Sequence, residues 1–528
     1  MNNGVALTWL NWLLAFLPIL MLLSTILFFR WGAPKAGAVS WFTALAVSAL
    51  VFGADKRLLA LANSKGMGLS LYVLLIIWSA VFLYNIVDGV GAVKVIGGSM
   101  AKVTDDRLLQ CLLMSWCFSG FMQGFAGFGV PIAVVAPIMV VMGFPPAVAA
   151  ATCLVGHSWA VTFGSMGAGY YTIQLITRIP GEVIAPWMAI LFAVPILTTG
   201  LAVAHIYGGF RALKRGAPAI LVTSAVMGFT CWLMTVIGAA QLASLIPGLL
   251  GCASMSLMAR TRWYRAGAAS PAAVSGEAPP SLGFHLAFSP YYILILLSIA
   301  SQFSAVRRFF APYVWGMDYP AVHTSMNFAV KAEKLYSRIN SSHPAPMLLT
   351  AAFLSYLVLR AAGRWKPGAA VKALKTTVTQ CIPTSVGVIS MVMMALVMVD
   401  SGMTFLLAQG MAKATGKLFP LTSTFIGVLG TFLTGSGANS NVMFAALQME
   451  TAKVLGISTV IISAAQSVGG SIGGAISPAK VLLGSTMVGL DGGESEVMNK
   501  TLPYCMGVAL CTGIVAWAFV YVFFRTLQ

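Results

Sequence analysis

FMQGFAGFGVP at Phe121–Pro131 and TGSGANSN at Thr434–Asn441 decide the fold of this chain, because both lie inside apolar sequence long enough to cross a bilayer. Non-helical backbone is tolerated at membrane depth only where protein or a wet cavity satisfies its N–H and C=O groups. Each stretch is followed by a second interruption, GHSWAVTFGSMG at Gly156–Gly167 and QSVGGSIGGAISP at Gln466–Pro478. Matched interruptions in two halves of a hydrophobic chain point to a transporter's binding site. The chain is therefore read as a secondary carrier.

Composition leads to the same class. With 528 residues, 59% hydrophobic, 8% charged and a mean hydropathy of +0.89, the sequence is too apolar for soluble domains and reads as a polytopic membrane protein. Its formal net charge of +18 comes from short basic runs between apolar segments. Such runs orient cytoplasmic loops, so no nucleic-acid partner is expected; the lipid bilayer is. The eight cysteines show no CxxC pair and no histidine at ligand spacing, so neither a metal nor a cofactor is expected. They read as small buried hydrophobes. Trp9–Phe29 lacks the basic start of a signal peptide and reads as a retained helix. Arg30 and Lys35 behind it place the N-terminus outside an inner-membrane protein.

The expected fold is an all-α polytopic membrane protein with inverted-topology repeats, re-entrant hairpins and broken transmembrane helices. Residues 1–35 form the first helix, 36–215 a first repeat, 216–346 a central region and 347–528 a second repeat. Phe121-x-x-Gly124 matches Phe432-x-x-Gly435 at a shift of 311, while Gly143 and Gly156 match Gly456 and Gly469 at 313. Basic clusters at Arg211–Arg215, Arg260–Arg265 and Arg360–Lys375 give the two copies opposite orientations. Lys56, Arg57 and Lys65 dissent, falling outside. Residues 108–142 and 419–451 must each return to the side they entered from. At about 35 residues or fewer they are too short for two crossings of about 20, so each is expected to be a re-entrant hairpin. Ala266–Pro280 reads as a linker, and Trp315–His343 as an external cap without metal-ligand spacing.

Interrupted helices offer free N–H groups and a positive dipole end to an anion, and free carbonyls to a cation. A small organic anion, and a carboxylate above all, fits that chemistry. The candidate substrate-binding residues are Gln123, Gly124, Gly127, Gly129, Ser158, Ser165, Thr434, Ser436, Asn439, Ser440, Asn441, Gln466, Ser467 and Lys480. Taken singly, each polar group equally well satisfies broken backbone or a helix contact. Ionisable groups within spans are functional candidates by default. His157 titrates near neutrality and reads as a proton relay or as a satisfied buried histidine. Asp88 and Asp400 occupy equivalent positions at a shift of 312, each at a helix C-terminus that disfavours an anion, so each reads as having a partner or a task or as sitting hydrated at the membrane interface. Glu450 and Lys453 read as a surface pair.

At these residues the chain resembles the L-lactate permease family, whose members are proton-coupled carriers of lactate, glycolate and similar 2-hydroxycarboxylates. GVLGTFLTGS at Gly427–Ser436, the pair Ser440-Asn441 and ISP at Ile476–Pro478 resemble its second-half motifs. GFAGFGVPIAV at Gly124–Val134 and FGSMG at Phe163–Gly167 resemble those of the first half. Asp400-Ser401-Gly402-Met403 also fits, so the similarity covers most of the chain. The resemblance implies proton-driven uptake of a short hydroxycarboxylate by alternating access, with no enzymatic activity. The chain departs from the family pattern where Gln123 and Gly437 stand at positions that carry acidic residues, and where His157 replaces an asparagine. A sodium-coupled or uncoupled carrier of another small organic anion consequently stays open.

Overall fold

The computed structural model describes residues 4–524 apart from 128, 266–281, 341–342 and 366. Among the described residues nine helices are long and apolar enough to cross a membrane, or ten when the bent pair Pro146–Ala160 and Gly164–Thr177 makes one crossing. The protein is a multi-pass integral membrane protein. The expected linker Ala266–Pro280 lies outside the described residues.

In chain order, α1 (Trp9–Leu27) and α2 (Ala33–Leu50) lead into α3 (Lys56–Gly89). A hairpin follows, α4 (Arg107–Phe125, with a π-turn at Leu113–Phe118) and α5 (Val130–Val141). The first broken crossing is α6 (Pro146–Gly156) and α7 (Gly164–Thr177). The chain then enters α8 (Gly181–Val236), kinked at Gly208 and Gly209. Next come α9 (Leu245–Ala259) and α10 (Phe284–Ala300). The second repeat holds α11 (Pro344–Ala361), α12 (Ala369–Asp400), α13 (Met403–Thr415), the hairpin α14 (Phe419–Thr434) and α15 (Gly437–Leu455), the broken crossing α16 (Thr459–Ile472) and α17 (Pro478–Met487), and α18 (Glu494–Ala518).

The segment between α10 and α11 contains strands that the sequence reading did not anticipate. Strand β1 (Trp315–Tyr319) pairs antiparallel with β4 (Glu333–Ile339), and β2 (Val322–His323) with β3 (Ala329–Val330). His343 then caps α11, accepting from the Ala345 N–H at Nδ1 (3.2 Å) and donating from Nε2 to the Tyr72 carbonyl (3.1 Å). Burial pulls this imidazole down to about 4, so it stays neutral.

Lipid offers helices no hydrophobic reason to associate, so close packing of small residues draws them together. The long helices α3 and α12 lie against each other, and a Cβ on Gly66 would sit 2.9 Å from the Met393 Cα. Seven cysteines are buried as expected; Cys511 is the exception, exposed on α18.

Contacts at the helix ends show that the hairpins enter from opposite sides. Arg178, at the end of α7, pairs with Glu333 of β4 (2.8 Å), and Ser325 N donates to the Gly53 carbonyl (2.9 Å). The N-terminal residues Gly4 and Val5 line one groove with Thr324 and Ser401 and another with Val454 and Leu455, at the base of the second hairpin. On the opposite side, α8 brings Arg215 into an ion pair with Asp106 at the base of the first hairpin. There Arg107 also donates to the Met142 carbonyl (2.6 Å).

Candidate functional site

The two broken crossings interlock at their breaks. Ser471 donates from Oγ to the Ser158 carbonyl (2.5 Å) and accepts from the N–H groups of Val161 (3.1 Å) and Thr162 (3.3 Å). Thr162 Oγ1 donates to the Ser467 carbonyl (2.9 Å). Asn441 bridges the halves, donating from Nδ2 to the Gly169 carbonyl and to Ser467 Oγ, both at 3.0 Å. One half thus hydrogen-bonds backbone that the other half leaves open.

The local sequence produces these breaks in different ways. In the second half, α14 ends at Gly435 in the left-handed region (φ 72°), and Ser436 caps α15 by accepting from Asn439 N (3.4 Å). Gly473–Ala475 tightens into a 3₁₀ turn before Ser477-Pro478 starts α17. In the first half, Ser165, Met166 and Gly167 are all left-handed (φ 49°, 54° and 82°). Two successive non-glycine residues in that conformation are strained and need a surrounding structure that holds them. Nothing in FGSMG marks Met166 for it.

Glycine sets how closely the crossings meet the hairpins. A Cβ on Gly156 would collide with the Ser115 carbonyl of α4, and one on Gly469 with the Thr424 carbonyl of α14. The matched pair therefore does one task twice. Gly124 likewise lets the first tip reach the backbone of Leu245 (2.7 Å from an added Cβ). Gly127 and Gly129 turn that tip in the left-handed region.

Most of the expected residues converge here, with unequal roles. Gln466 donates from Nε2 to Ser440 Oγ (3.1 Å), Ser440 donates to the Gly427 carbonyl (2.8 Å), and Gln448 joins the two hairpin helices to Gln466. Those groups are satisfied and hold the hairpin. Thr434 bonds back to the Gly430 carbonyl (2.8 Å), and Ser158 Oγ to that of Val155 (2.7 Å). Other polar atoms are buried without a protein partner: Gln123 Oε1, His157 Nε2, Asn439 Oδ1, Thr431 Oγ1 and Ser477 Oγ. Thr431 and Ser477 lay outside the expected set, whereas Ser471 was among the hydroxyls expected near a ligand and instead joins the two breaks. His157 is fully buried, with Nδ1 2.6 Å from the Cys153 carbonyl. Lys480 forms no ion pair among the described residues.

Asp88 and Asp400 are not part of this cluster. Asp88 ends α3 exposed. Asp400 is buried in a separate charge network, where Lys65 Nζ lies 3.0 Å from its Oδ2 and 2.8 Å from Glu333 Oε1, which also receives Arg178. That explains the dissenting Lys65, whose charge is neutralised on the side of the strands. Glu450 and Lys453 form the expected pair at 2.7 Å.

Comparison with known proteins adds the family. The model of the L-lactate permease family matches residues 11–523. The chain belongs to the L-lactate permease family. It is 28% identical to the L-lactate permease of Salmonella typhi, over 97% of this chain and 96% of that one. The L-lactate permease and the glycolate permease GlcA of Escherichia coli K12 give the same identity and coverage. Among solved structures, the YdaH transporter of Alcanivorax borkumensis, described as having an unusual topology, is similar with a TM-score of 0.45 and 16% identity over 84% of each chain.

Proposed function

We propose that the protein is a secondary active transporter that takes up a small 2-hydroxycarboxylate such as lactate or glycolate, together with a proton, by alternating access in the inner membrane with its N-terminus outside. The observation that carries this reading is the site itself. Four interrupted elements from inverted halves meet around buried polar atoms that lack partners, with the unpaired ammonium of Lys480 close by. A carboxylate supplies the missing anion, and the ordering of both helix breaks favours it. Relatives named for lactate and glycolate support the substrate class. The hairpins and broken crossings form the moving unit, and α3 with α12 the support.

His157 relays the proton, since its Nε2 is open while Nδ1 is engaged. The site's lack of a carboxylate favours sodium coupling or uncoupled transport as the second reading. Proteoliposomes decide between them: labelled lactate or glycolate accumulates with an inward proton gradient and is indifferent to a sodium gradient. Accumulation that follows sodium supports the second reading, and conversion without net movement contradicts both. His157→Gln is expected to cut gradient-driven accumulation by about tenfold or more while sparing counterflow exchange, the magnitude typical of a positioned proton-transfer group. Unchanged pH dependence removes His157 as the relay.

A further inference from the structure

We propose that Lys480 carries the coupled proton through the membrane beside the substrate, protonated when the anion is bound and neutral when the site is empty. The inference rests on the carrier reading above and gives it a stoichiometry of one proton per monocarboxylate.

A proton symporter needs a titratable group in its moving unit. Across 107–177 and 419–487 the one acidic residue is Glu450, and it is held by Lys453 at the far end of α15 (2.7 Å). Coupling therefore falls to a base. Lys480 stands in the first turn of α17, whose positive dipole end favours an anion; Pro478 has no N–H and those of Lys480 and Val481 bond the Ser477 carbonyl (3.0 and 2.9 Å), which leaves the N–H of Ala479 for a ligand. The missing side chain of Gly474 gives the ammonium room, since a Cβ there would lie 2.8 Å from Nζ. Thr431, whose Oγ1 is buried without a partner, borders the same glycine through its methyl group. Ser477, just before α17, also has an unpartnered hydroxyl. These are the polar groups a hydroxycarboxylate would need around its charge.

The electrostatics then link the two ligands. An ammonium without a counter-ion is costly away from water, and an adjacent carboxylate removes most of that cost. Anion binding and protonation of Lys480 consequently strengthen each other by the same factor. On release, the carboxylate leaves, the N–H bond of Nζ breaks and its proton passes to water by way of His157. Loaded and empty sites both cross the membrane neutral, which avoids moving a net charge against the membrane potential.

The other groups packed on α17 do not substitute for it. Helix α17 lies against α5, α6 and α18. Helix α5 has no titratable side chain, α6 offers Cys153 with His157 behind it, and α18 offers Glu494, Glu496, Lys500, Tyr504, Cys505 and Cys511. Glu496 is 3.8 Å from Lys500, and Tyr504 bonds His205 (2.6 Å). The turn that follows His157, Ser158–Ala160, packs on Gly473–Ala475, the turn against which the Lys480 ammonium lies. That suits a relay handing its proton to a neighbour.

The test counts protons. Purified full-length protein in weakly buffered detergent, followed with a pH indicator across about pH 7–10, should take up protons as lactate binds, rising to about one per lactate at the pH where the empty site has lost its proton. Binding with no proton uptake overturns the proposal, and this needs no variant. Arginine stays protonated, so Lys480→Arg should raise the ratio of lactate exchange to gradient-driven accumulation by about tenfold or more. A ratio equal to wild type also overturns it. If the wild type neither binds nor moves lactate or glycolate, the carrier reading fails instead, and the two failures are distinct.

Discussion

Lys65→Met should be the most damaging single substitution at the strand-covered side, lowering stability by roughly 3–5 kcal/mol. Lys65 is 1% exposed, and its ammonium is shared between Asp400, itself 4% exposed, and Glu333 at 12%. Glu333 keeps Arg178 after the substitution, whereas Asp400 loses its ion-pair partner while remaining buried. An uncompensated buried carboxylate either stays charged at high cost or takes up a proton to fold. The melting temperature of detergent-solubilised protein should therefore drop several degrees for Lys65→Met and recover substantially in Lys65→Met with Asp400→Asn. An unchanged melting temperature, or a double variant no better than the single, would show that the network contributes little.

The second large effect is expected at the matched glycines. Gly156→Val and Gly469→Val each drive a branched side chain into a carbonyl of the adjacent hairpin helix, Ser115 in one half and Thr424 in the other. Backbone cannot rotate away as a long side chain can, so the cost should lie at or above the usual overpacking range of about 1–3 kcal/mol. The crossing must move off the hairpin, which opens the hydrogen bonds from Ser471 to the opposite break. Either variant should lose transport even where folded protein is recovered, as measured by uptake per mole of monodisperse carrier. The exposed Gly507 of α18, which has helical backbone and no heavy atom within 4 Å of an added Cβ, is the control for a glycine of no packing importance.

The hairpins and breaks were legible because each depends on local chemistry. Glycine and serine at membrane depth identify broken helices, and the recurrence of Gly156 at Gly469 identifies the repeat. Contacts between distant residues were not legible. Lys65 finds Glu333 and Asp400 across separations of 268 and 335 residues, so the chain alone showed only a charge on the wrong side. Equivalent positions also hid unequal surroundings: Asp400 meets a lysine of α3, while Asp88 remains exposed. The left-handed run at Ser165–Met166 escaped because that conformation is ordinarily announced by glycine or asparagine. Within the site, spacing identified which residues gather but not which are satisfied. Gln466 and Ser440 turned out to hold the hairpin, whereas Gln123, Asn439 and Lys480 keep bonding capacity for a ligand.

The shared site requires two inverted copies whose hairpins dip from opposite faces. Val141 and Val454 test this most directly, being equivalent at a shift of 313, exposed by 57% and 43%, and in the last turns of α5 and α15. With the exposed Cys511 replaced by serine, each is changed to cysteine and treated with a membrane-impermeant maleimide on intact cells and on inverted vesicles. Val454→Cys should react only in cells and Val141→Cys only in inverted vesicles. Reaction of both from the same face would contradict the inverted architecture and the shared site built on it.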